Sequence, residues 1–545
     1  MGRYLNPVLP GCHPDPSICR VGDTFYLVTS SFEYLPGLPV HASKTLVDWT
    51  QIGHVIDRPG QLDLSGLASS RGLFAPTIRH DGELFHVVCT VVGPDDGGWP
   101  GRTGHFVVTA VEAAGPWSDV VWIDGVGGID PSLTFDGERV WLTTTGLSPE
   151  ARWPGQTDVS LVELDRATFQ PLSPPTVIWR GALRGSVWAE GPHIRQRPGG
   201  GWMLAAAEGG TDTDHAVCVA YADDITGPYV GDPGNPRLTH RHLGSRAELA
   251  AVGHADLVDD EAGRTWATVL ATRTVDGVEG LLGRQTHLVP VDWEERRPLF
   301  APGSGRVELV VEDAGVAEQQ PRRRDFSDDF AGPGLDGAWN GVGRHPGTFA
   351  ELDEQGGLVR LRPGAEPATV RPQSFLGRRL PASDVSVSID VELVPAADAS
   401  HTAGHSGAHT AEDAGVHTGA RTGLRGGLLL RTSERAHVEI SLDDAGIIRC
   451  VSTTGGVSRQ LATSADDPGR GLRHEPRRRV TIGLEVNGLS GVATIDGAPF
   501  VDVDLSGLVP EAGSGFVGAW IGPIALGDGG GHVAVHAVST TVTAS

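Results

Sequence analysis

The chain has 545 residues with 68 acidic and 43 basic side chains, which gives a formal net charge of −25. Nucleic acids and anionic membranes bind to basic protein surfaces, so neither is expected as a partner of this acidic chain. The length exceeds one ordinary domain core, so we expect two or three domains.

The amino terminus and the cysteines indicate a reduced compartment. The segment "MGRYLNPVLPG" contains no apolar signal core, and no apolar run reaches membrane-spanning length. The five cysteines are odd in number and scattered, which argues against a disulfide framework or a structural zinc site. We therefore expect a soluble, cytoplasmic protein.

Five similar hairpins follow one another from the amino terminus. Each has a small polar or proline-bearing start, a short strand, a turn built on Gly or Asp, and a longer apolar strand. Their second residues stand at 16, 76, 131, 192 and 255, so the spacings are 60, 55, 61 and 63 residues. The hairpins read "DPSICRVGDTFYLVTSS", "APTIRHDGELFHVVCTVV", "DPSLTFDGERVWLTTTG", "GPHIRQRPGGGWMLAAAEGG" and "HADLVDDEAGRTWATVLAT".

Five repeats of about sixty residues predict an all-β fold, a five-bladed β-propeller with two further strands in each blade. A solenoid would have shorter repeats, and a sandwich would not repeat five times. The innermost strand of each propeller blade starts at the central axis, so equivalent starting positions converge there. The converging residues are Asp15, Ala75, Asp130, Gly191 with Glu190 just before it, and His254.

Three converging carboxylates suit glycoside hydrolysis. One carboxyl group protonates the leaving oxygen, and another activates water or attacks the sugar. A third can raise the pKa of the acid by like-charge repulsion. For any one aspartate the alternative is a turn or cap, and His254 alone fits a core residue, an axial metal ligand or a sugar contact. Glu208, at the end of the fourth hairpin, is expected beside Glu190 in a supporting role.

Eight motifs resemble, in chain order, those of glycoside hydrolase family 43, especially its β-xylosidase/α-L-arabinofuranosidase group with a C-terminal β-sandwich. The resemblance runs through about 300 residues and continues into the second domain. The motifs are "NPVLPGCHPDPSI", "GLFAPTIRHDG", "IDPSL", "WAEGPHI", "AEGGT", "NPRLTHR", "GHADL" and "LGRQTHLVPVDW".

The resemblance implies an inverting hydrolase and a role for each carboxylate. Asp15 would be the general base that activates water, and Glu190 the general acid that protonates the leaving group. Asp130 would tune the pKa and orientation of Glu190. Inversion further implies that the carboxyl groups of Asp15 and Glu190 stand about 6.5–9.5 Å apart, with room for water between them.

The resemblance also assigns two residues around these carboxylates. Arg284 matches the arginine that binds the sugar in the innermost subsite, although Gln285 stands where the family usually has Glu, which would leave Arg284 less firmly oriented. His254 matches a position near a calcium ion or water on the propeller axis. It is thus a candidate substrate contact and metal ligand; calcium would be structural, and no cofactor is expected for catalysis.

Three phenylalanines are candidate sugar contacts. Phe32 ends the return strand of the first hairpin and Phe74 precedes the second, so both should lie at the mouth of the funnel, where an aromatic face can pack on a sugar. Ordinary core packing is an equal alternative for each. In the resembled group the second domain lends a loop to the pocket rim, and Phe516 would be the aromatic residue that reaches it.

Composition divides the chain into a propeller over 1–315, a linker over 316–326 and a β-sandwich of the concanavalin-like type over 327–545. Alternating runs such as "VSVSIDVEL" and "VTIGLEV" predict the sandwich strands. A flexible insertion is expected near 396–427, where Gly, Ala, Ser and Thr are abundant. Its His401, His405 and His409 could form a metal site only on a helix, and we assign them no function.

The combined expectation is an exo-acting enzyme that releases xylose or arabinose from the non-reducing ends of short xylo- or arabino-oligosaccharides. A funnel closed at one end by the axial residues favours chain ends over interiors. An arabinan-directed hydrolase and a non-catalytic sugar-binding propeller are the alternatives. The preference between the two sugars is left open, and so is the oligomeric state, although members of the resembled group are often dimers or tetramers.

Overall fold

The computed structural model describes residues 2–244, 246–275, 277–320, 325–396, 423–466, 479–510 and 515–543. Up to Phe300 the chain forms five antiparallel sheets, and in each sheet the first four strands follow one another outward in chain order. The first sheet contains β2 (Ser17–Val21), β3 (Thr24–Val28), β5 (Gly37–Ser43) and β6 (Thr50–Ile56), and the second β7 (Gly72–His80), β8 (Phe85–Val92), β9 (Gly104–Ala110) and β10 (Val121–Trp122).

The other three blades repeat this order. The third has β11 (Ile129–Asp136), β12 (Arg139–Leu147), β13 (Thr157–Leu164) and β14 (Thr176–Trp179). The fourth has β15 (Glu190–Gln196), β16 (Trp202–Glu208), β17 (Ala216–Ala222), β18 (Val230–Gly231) and β19 (Leu238–Thr239). The fifth has β20 (Leu249–Asp259), β21 (Thr265–Val275), β22 (Val278–Glu294) and β23 (Arg297–Phe300).

The innermost strands close a ring around the axis. β2 neighbours β7, and the contacts continue through β11, β15 and β20 back to β2. The fifth and first blades are joined by the buried carboxylate of Asp256, which accepts hydrogen bonds from the Ser17 hydroxyl (2.7 Å) and the Ile18 N–H (3.0 Å). Outside the blades, β1 (Gly2–Leu5) pairs with β24 (Val310–Asp313). This is the predicted five-bladed propeller.

The remaining strands form two facing sheets with a core between them. One sheet contains β25 (Phe326–Asp328), β27 (Ala350–Asp353), β28 (Leu358–Leu361), β31 (Asp384–Pro395), β36 (Arg479–Asn487), β37 (Ser490–Ile495), β38 (Ala498–Asp504) and β40 (Gly531–Val542). The other contains β29 (Ser374–Phe375), β30 (Arg378–Arg379), β32 (Arg425–Ser433), β33 (Ala436–Asp443), β34 (Ile448–Thr454), β35 (Val457–Thr463) and β39 (Trp520–Leu526). Short 3₁₀ turns occupy Pro346–Thr348, Ser464–Asp466 and Ser506–Leu508.

The sandwich is docked on the propeller through paired strands and stacked rings. β4 (Tyr34–Leu35) of the propeller pairs with β26 (Gly341–Val342) of the sandwich sequence. The Tyr34 and Trp520 rings stack with centroids 3.8 Å apart. Both rings are nearly free of solvent exposure, so this interface has an apolar core of its own.

Parts of the expected linker and of the expected insertion fall within the described residues. Gln319 packs on the propeller, because its side chain accepts from the Leu5 N–H (2.9 Å) and donates to the Val47 carbonyl (2.8 Å). Residues 397–422 of the expected insertion, with His401, His405 and His409, lie outside the described residues, whereas 425–427 already belong to β32. In the described part of the chain no helix has the length and apolar character needed to cross a bilayer.

Candidate active site

The five equivalent positions at the start of the innermost strands share an unusual backbone conformation. Each has a left-handed φ, a region that residues other than glycine rarely occupy. Four of the five innermost strands also shift register against their neighbours here, as in a β-bulge. The five are Asp15 (φ 53°), Ala75 (37°), Asp130 (53°), Gly191 (56°) and His254 (50°).

These bulges turn side chains into one cavity of about 570 Å³ at the end of the axis. Its size lies within the range of about 300–1,000 Å³ common for small-molecule sites. All eight site residues predicted from sequence line it: Asp15, Phe32, Phe74, Asp130, Glu190, His254, Arg284 and Phe516.

Asp15 is held as an ionised carboxylate. Its Oδ1 accepts from Arg284 Nη1 (2.9 Å), and its Oδ2 accepts from the Ser30 hydroxyl (2.6 Å). Burial by itself would raise the pKa of Asp15, but the Arg284 guanidinium, with smaller contributions from His254 and Ser30, holds that pKa below its ordinary value. A carboxylate that stays ionised can accept a proton.

Glu190 and Asp130 show the opposite tendency. Enclosure in the cavity raises the pKa of Glu190 well above its ordinary value, and the carboxylates of Asp130 and Asp15 raise it further. Burial also raises the pKa of Asp130, whose Oδ2 accepts from the Gly191 N–H at 2.9 Å. The cavity therefore favours the protonated form of Glu190 and the ionised form of Asp15. The separation of the Asp15 and Glu190 carboxyl groups stays a prediction.

Arg284 donates hydrogen bonds to three partners at the cavity. Besides Asp15, it donates to the Thr211 hydroxyl (3.1 Å) and to the Phe516 carbonyl (3.3 Å). Gln285 is buried on the other face of β22, where its Oε1 accepts from the Gly11 N–H at 3.1 Å. The two side chains point to opposite faces of the strand, and the loosening of Arg284 expected from Gln285 stays a prediction.

The three phenylalanines form one aromatic cluster at the cavity. Phe32 and Phe516 stack with centroids 6.2 Å apart and ring planes 20° apart, while Phe74 meets them edge-on at 5.0 and 5.7 Å. Phe32 is buried, whereas Phe74 and Phe516 are partly exposed. Because Phe516 belongs to the sandwich sequence, the second domain forms part of the wall.

His254 lies beside the carboxylates. Its Nδ1 is 3.9 Å from Asp15 Oδ1. Calcium takes six to eight oxygen ligands. In the described residues no group of three or more His, Cys, Asp or Glu side chains is placed to hold a metal ion, and an imidazole is a poor match for calcium. These donors do not fit a calcium cage, so we derive no step through calcium.

Glu208 has the supporting role expected from its pairing. Its neighbour Ala207 lies opposite Glu190 across the β15–β16 pair. The buried Glu208 carboxylate accepts from the N–H groups of Ala182 (2.5 Å) and Leu183 (3.1 Å) and from the Ser186 hydroxyl (2.9 Å). It therefore anchors the loop that leads to Glu190.

The cavity residues that sequence reasoning missed include Trp188, Thr211 and His215. Trp188 is two residues before Glu190, but it precedes β15 and has a left-handed φ of 50°, so strand alternation does not place it. No local signal marks His215. Burial lowers its pKa to about 3, its Nδ1–H donates to the Ala251 carbonyl (3.0 Å), and among the described residues its Nε2 has no partner.

A propeller with this set of carboxylates defines a glycoside hydrolase, and the comparisons place it more narrowly. The family described as Glycosyl hydrolases family 43 matches residues 4–297, and the domain described as Beta xylosidase C-terminal Concanavalin A-like domain matches 327–406. The chain belongs to glycosyl hydrolases family 43.

Several proteins are similar over most of the chain. A "Xylosidase/arabinosidase" of Butyrivibrio fibrisolvens is 39% identical over 402 residues, covering 72% of this chain and 75% of that protein. A "Non-reducing end alpha-L-arabinofuranosidase BoGH43B" of Bacteroides ovatus is 38% identical over 406 residues, 72% of each. The solved structure of a xylan beta-1,4-xylosidase from Bacillus halodurans C-125 has a TM-score of 0.84 at 25% identity, covering 99% of this chain and 100% of that one.

Proposed function

We propose that this glycoside hydrolase removes xylose or arabinofuranose from the non-reducing ends of short hemicellulose oligosaccharides, with inversion of configuration. The observation that carries the proposal is the placement of Asp15 and Glu190 in one cavity, with opposite environments. Arg284 pairs with Asp15, whereas Asp130 crowds Glu190. When the environments of two carboxyl groups push their pKa values apart, the group with the lower pKa is assigned as the base and the other as the acid.

In the proposed reaction Asp15 removes a proton from a water molecule, whose oxygen attacks the anomeric carbon. Glu190 donates its proton to the glycosidic oxygen as that bond breaks, so the leaving sugar departs with a neutral hydroxyl. Asp130 keeps Glu190 protonated through like-charge repulsion and orients the neighbouring backbone through Gly191. Arg284, which lines the cavity, would bind sugar hydroxyls.

An exo-acting mode is supported by the walls of the cavity, to which both domains contribute. Phe516 from the sandwich lies at the wall, and the Arg71–Asp95 ion pair (3.1 Å) joins two further lining residues. A chain end can enter such a pocket, whereas an internal segment of a polysaccharide needs an open groove. The similarity to a xylosidase/arabinosidase and to a non-reducing end alpha-L-arabinofuranosidase supports xylose and arabinofuranose as the sugars released.

The test compares initial rates on nitrophenyl β-xyloside, nitrophenyl α-L-arabinofuranoside, xylobiose and arabino-oligosaccharides, with proton NMR of the first product. We expect hydrolysis of at least one nitrophenyl sugar and release of the inverted anomer, which is α-xylose from a β-xyloside. A first product of retained configuration would overturn the mechanism. Internal cleavage of linear arabinan would favour the arabinan-directed alternative, and binding without hydrolysis the sugar-binding one.

A further inference from the structure

Phe516 is held at its backbone from both sides. Its N–H donates to the hydroxyl of Ser70 in the propeller at 2.8 Å. Its carbonyl accepts from Arg284 Nη2 at 3.3 Å, and the same guanidinium donates to Asp15 through Nη1. The position of Phe516 thus influences the orientation of the Arg284 guanidinium. Through Arg284 it also influences Asp15, the proposed base.

Ser70 has a strained backbone conformation beside two carboxyl groups, that of the buried Glu33 and that of the half-buried Glu434. Its φ is 63°, a left-handed value that costs a residue with a side chain free energy and persists only where neighbours enforce it. The Ser70 N–H donates to Glu33 Oε2 of the propeller (3.1 Å), and the preceding Ser69 N–H donates to Glu434 Oε2 of the sandwich (3.1 Å). One carboxylate from each domain therefore fixes this dipeptide.

Arg431 of β32 completes the arrangement at the domain interface. It is 1% exposed, and its guanidinium donates to the Tyr34 hydroxyl (3.0 Å) and to the Ser69 hydroxyl (2.9 Å). Its Nη1 is 3.8 Å from Glu33 Oε1, which makes a buried ion pair across the interface. Because its strand is paired on both sides, with β33 and β39, Arg431 is a rigid support.

We propose that Ser70 and Arg431 are positioning residues for hydrolysis, which set the place of Phe516 and thereby the contact of Arg284 with Asp15. The proposal rests on the proposed function, in which Asp15 is the base. The sandwich then contributes to the site in two ways. The Phe516 ring lines the cavity, and the buried Arg431 orders the propeller loop that holds Phe516.

The positioning role has a signature in the pH profile. Activity requires ionised Asp15, so kcat/KM falls as pH drops through the pKa of Asp15. The Arg284 guanidinium holds that pKa below its ordinary value. When Arg284 loses its support, the pKa of Asp15 rises, and the acid limb of the profile moves to higher pH. Loss of stability alone would lower the amount of folded enzyme and leave the limb in place.

The deciding variant is Ser70→Ala, which deletes the hydroxyl that Phe516 uses and keeps the N–H bonded to Glu33. We expect kcat/KM on the preferred nitrophenyl sugar to fall about tenfold, the size of effect that one lost positioning hydrogen bond can have. The acid limb should move to higher pH, with little change in the unfolding midpoint. Arg431→Met should shift the limb in the same direction.

The matched control is Ser65→Ala. Ser65 lies on the same propeller segment and its hydroxyl also donates across the interface, to the Gly343 carbonyl at 3.3 Å. Its variant should keep both kcat/KM and the acid limb. A Ser70→Ala enzyme with the wild-type kcat/KM and acid limb would overturn the positioning proposal while wild-type hydrolysis upholds the proposed function. An inactive wild type would overturn the proposed function itself. If Arg431→Met does not fold, Ser70→Ala alone decides.

Discussion

The propeller and the sandwich are both built from antiparallel strands, yet they use their side chains differently. The sandwich directs one face of each strand into a single core, as in β31, whose residues alternate between buried and partly exposed. The propeller divides its apolar residues among several clusters, and β16 is buried along its whole length. The axis is thereby left to the starts of the innermost strands, where Asp15, Asp130 and His254 stand.

This difference explains which domain carries the chemistry. Each blade of the propeller presents the start of its innermost strand at the axis. A substitution at such a position alters the site without disrupting the hydrophobic packing between the blades. The two inner faces of the sandwich are occupied by packing, and it can contribute to the cavity only from its margins. Phe516, just before β39, and Arg431, on β32, are such contributions.

The largest effect is expected for Asp15→Asn, which removes the proposed base from the propeller axis at nearly constant shape. The rate on every substrate should fall by about 10³-fold, within the range typical of a lost acid–base residue. The measurement is kcat on both nitrophenyl sugars. Asp23→Asn, at an exposed ion pair with Lys44, is the control and should keep wild-type rates. Retention of most activity by Asp15→Asn would contradict the assignment of the base.

Glu190→Gln should come next, with an effect that depends on the leaving group. Xylobiose needs protonation of its leaving oxygen, so its rate should fall by about 10²–10³-fold, whereas nitrophenolate leaves without a proton and should lose less. The ratio of the two rates is the measurement. Equal losses on both substrates would mean that Glu190 is not the acid.

Phe516→Ala tests whether the sandwich belongs to the site. Loss of the ring removes apolar surface from the cavity and one side of the Phe32 stack, so KM should rise about tenfold with a smaller change in kcat. Phe516→Leu keeps most of the apolar volume and should lie between this variant and the wild type. An unchanged KM for Phe516→Ala would show that the Phe516 ring of the sandwich does not contribute to substrate binding.

The smallest effect on activity is expected for Ile482→Val in the core between the sandwich sheets. Removal of one buried methylene group should lower the free energy of unfolding of the sandwich by about 1 kcal/mol. Urea unfolding followed by circular dichroism measures this change, and kcat/KM of the folded enzyme should equal that of the wild type. A changed kcat/KM would show that the sandwich core, and not only its margins, influences the cavity.

Much of the fold could be predicted because its signals are local. Alternation in "VSVSIDVEL" anticipates β31, and the five hairpins predict five blades. The segments Asp15–Pro16 and Asp130–Pro131 have the same place in their repeats, so their convergence follows from blade symmetry. The left-handed backbone at these positions was not foreseen, since only the bulge against the neighbouring strand reveals it.

By itself, the sequence determined the repeat, the axial carboxylates and the alternating strands, since each depends on residues close together in the chain. Only the tertiary structure decided how these parts are held. Asp15 and Arg284 are 269 residues apart, and Ser70 and Phe516 are 446 apart. Such contacts form only when the fifth blade closes on the first and the sandwich docks on the propeller, and no periodicity within one segment encodes them.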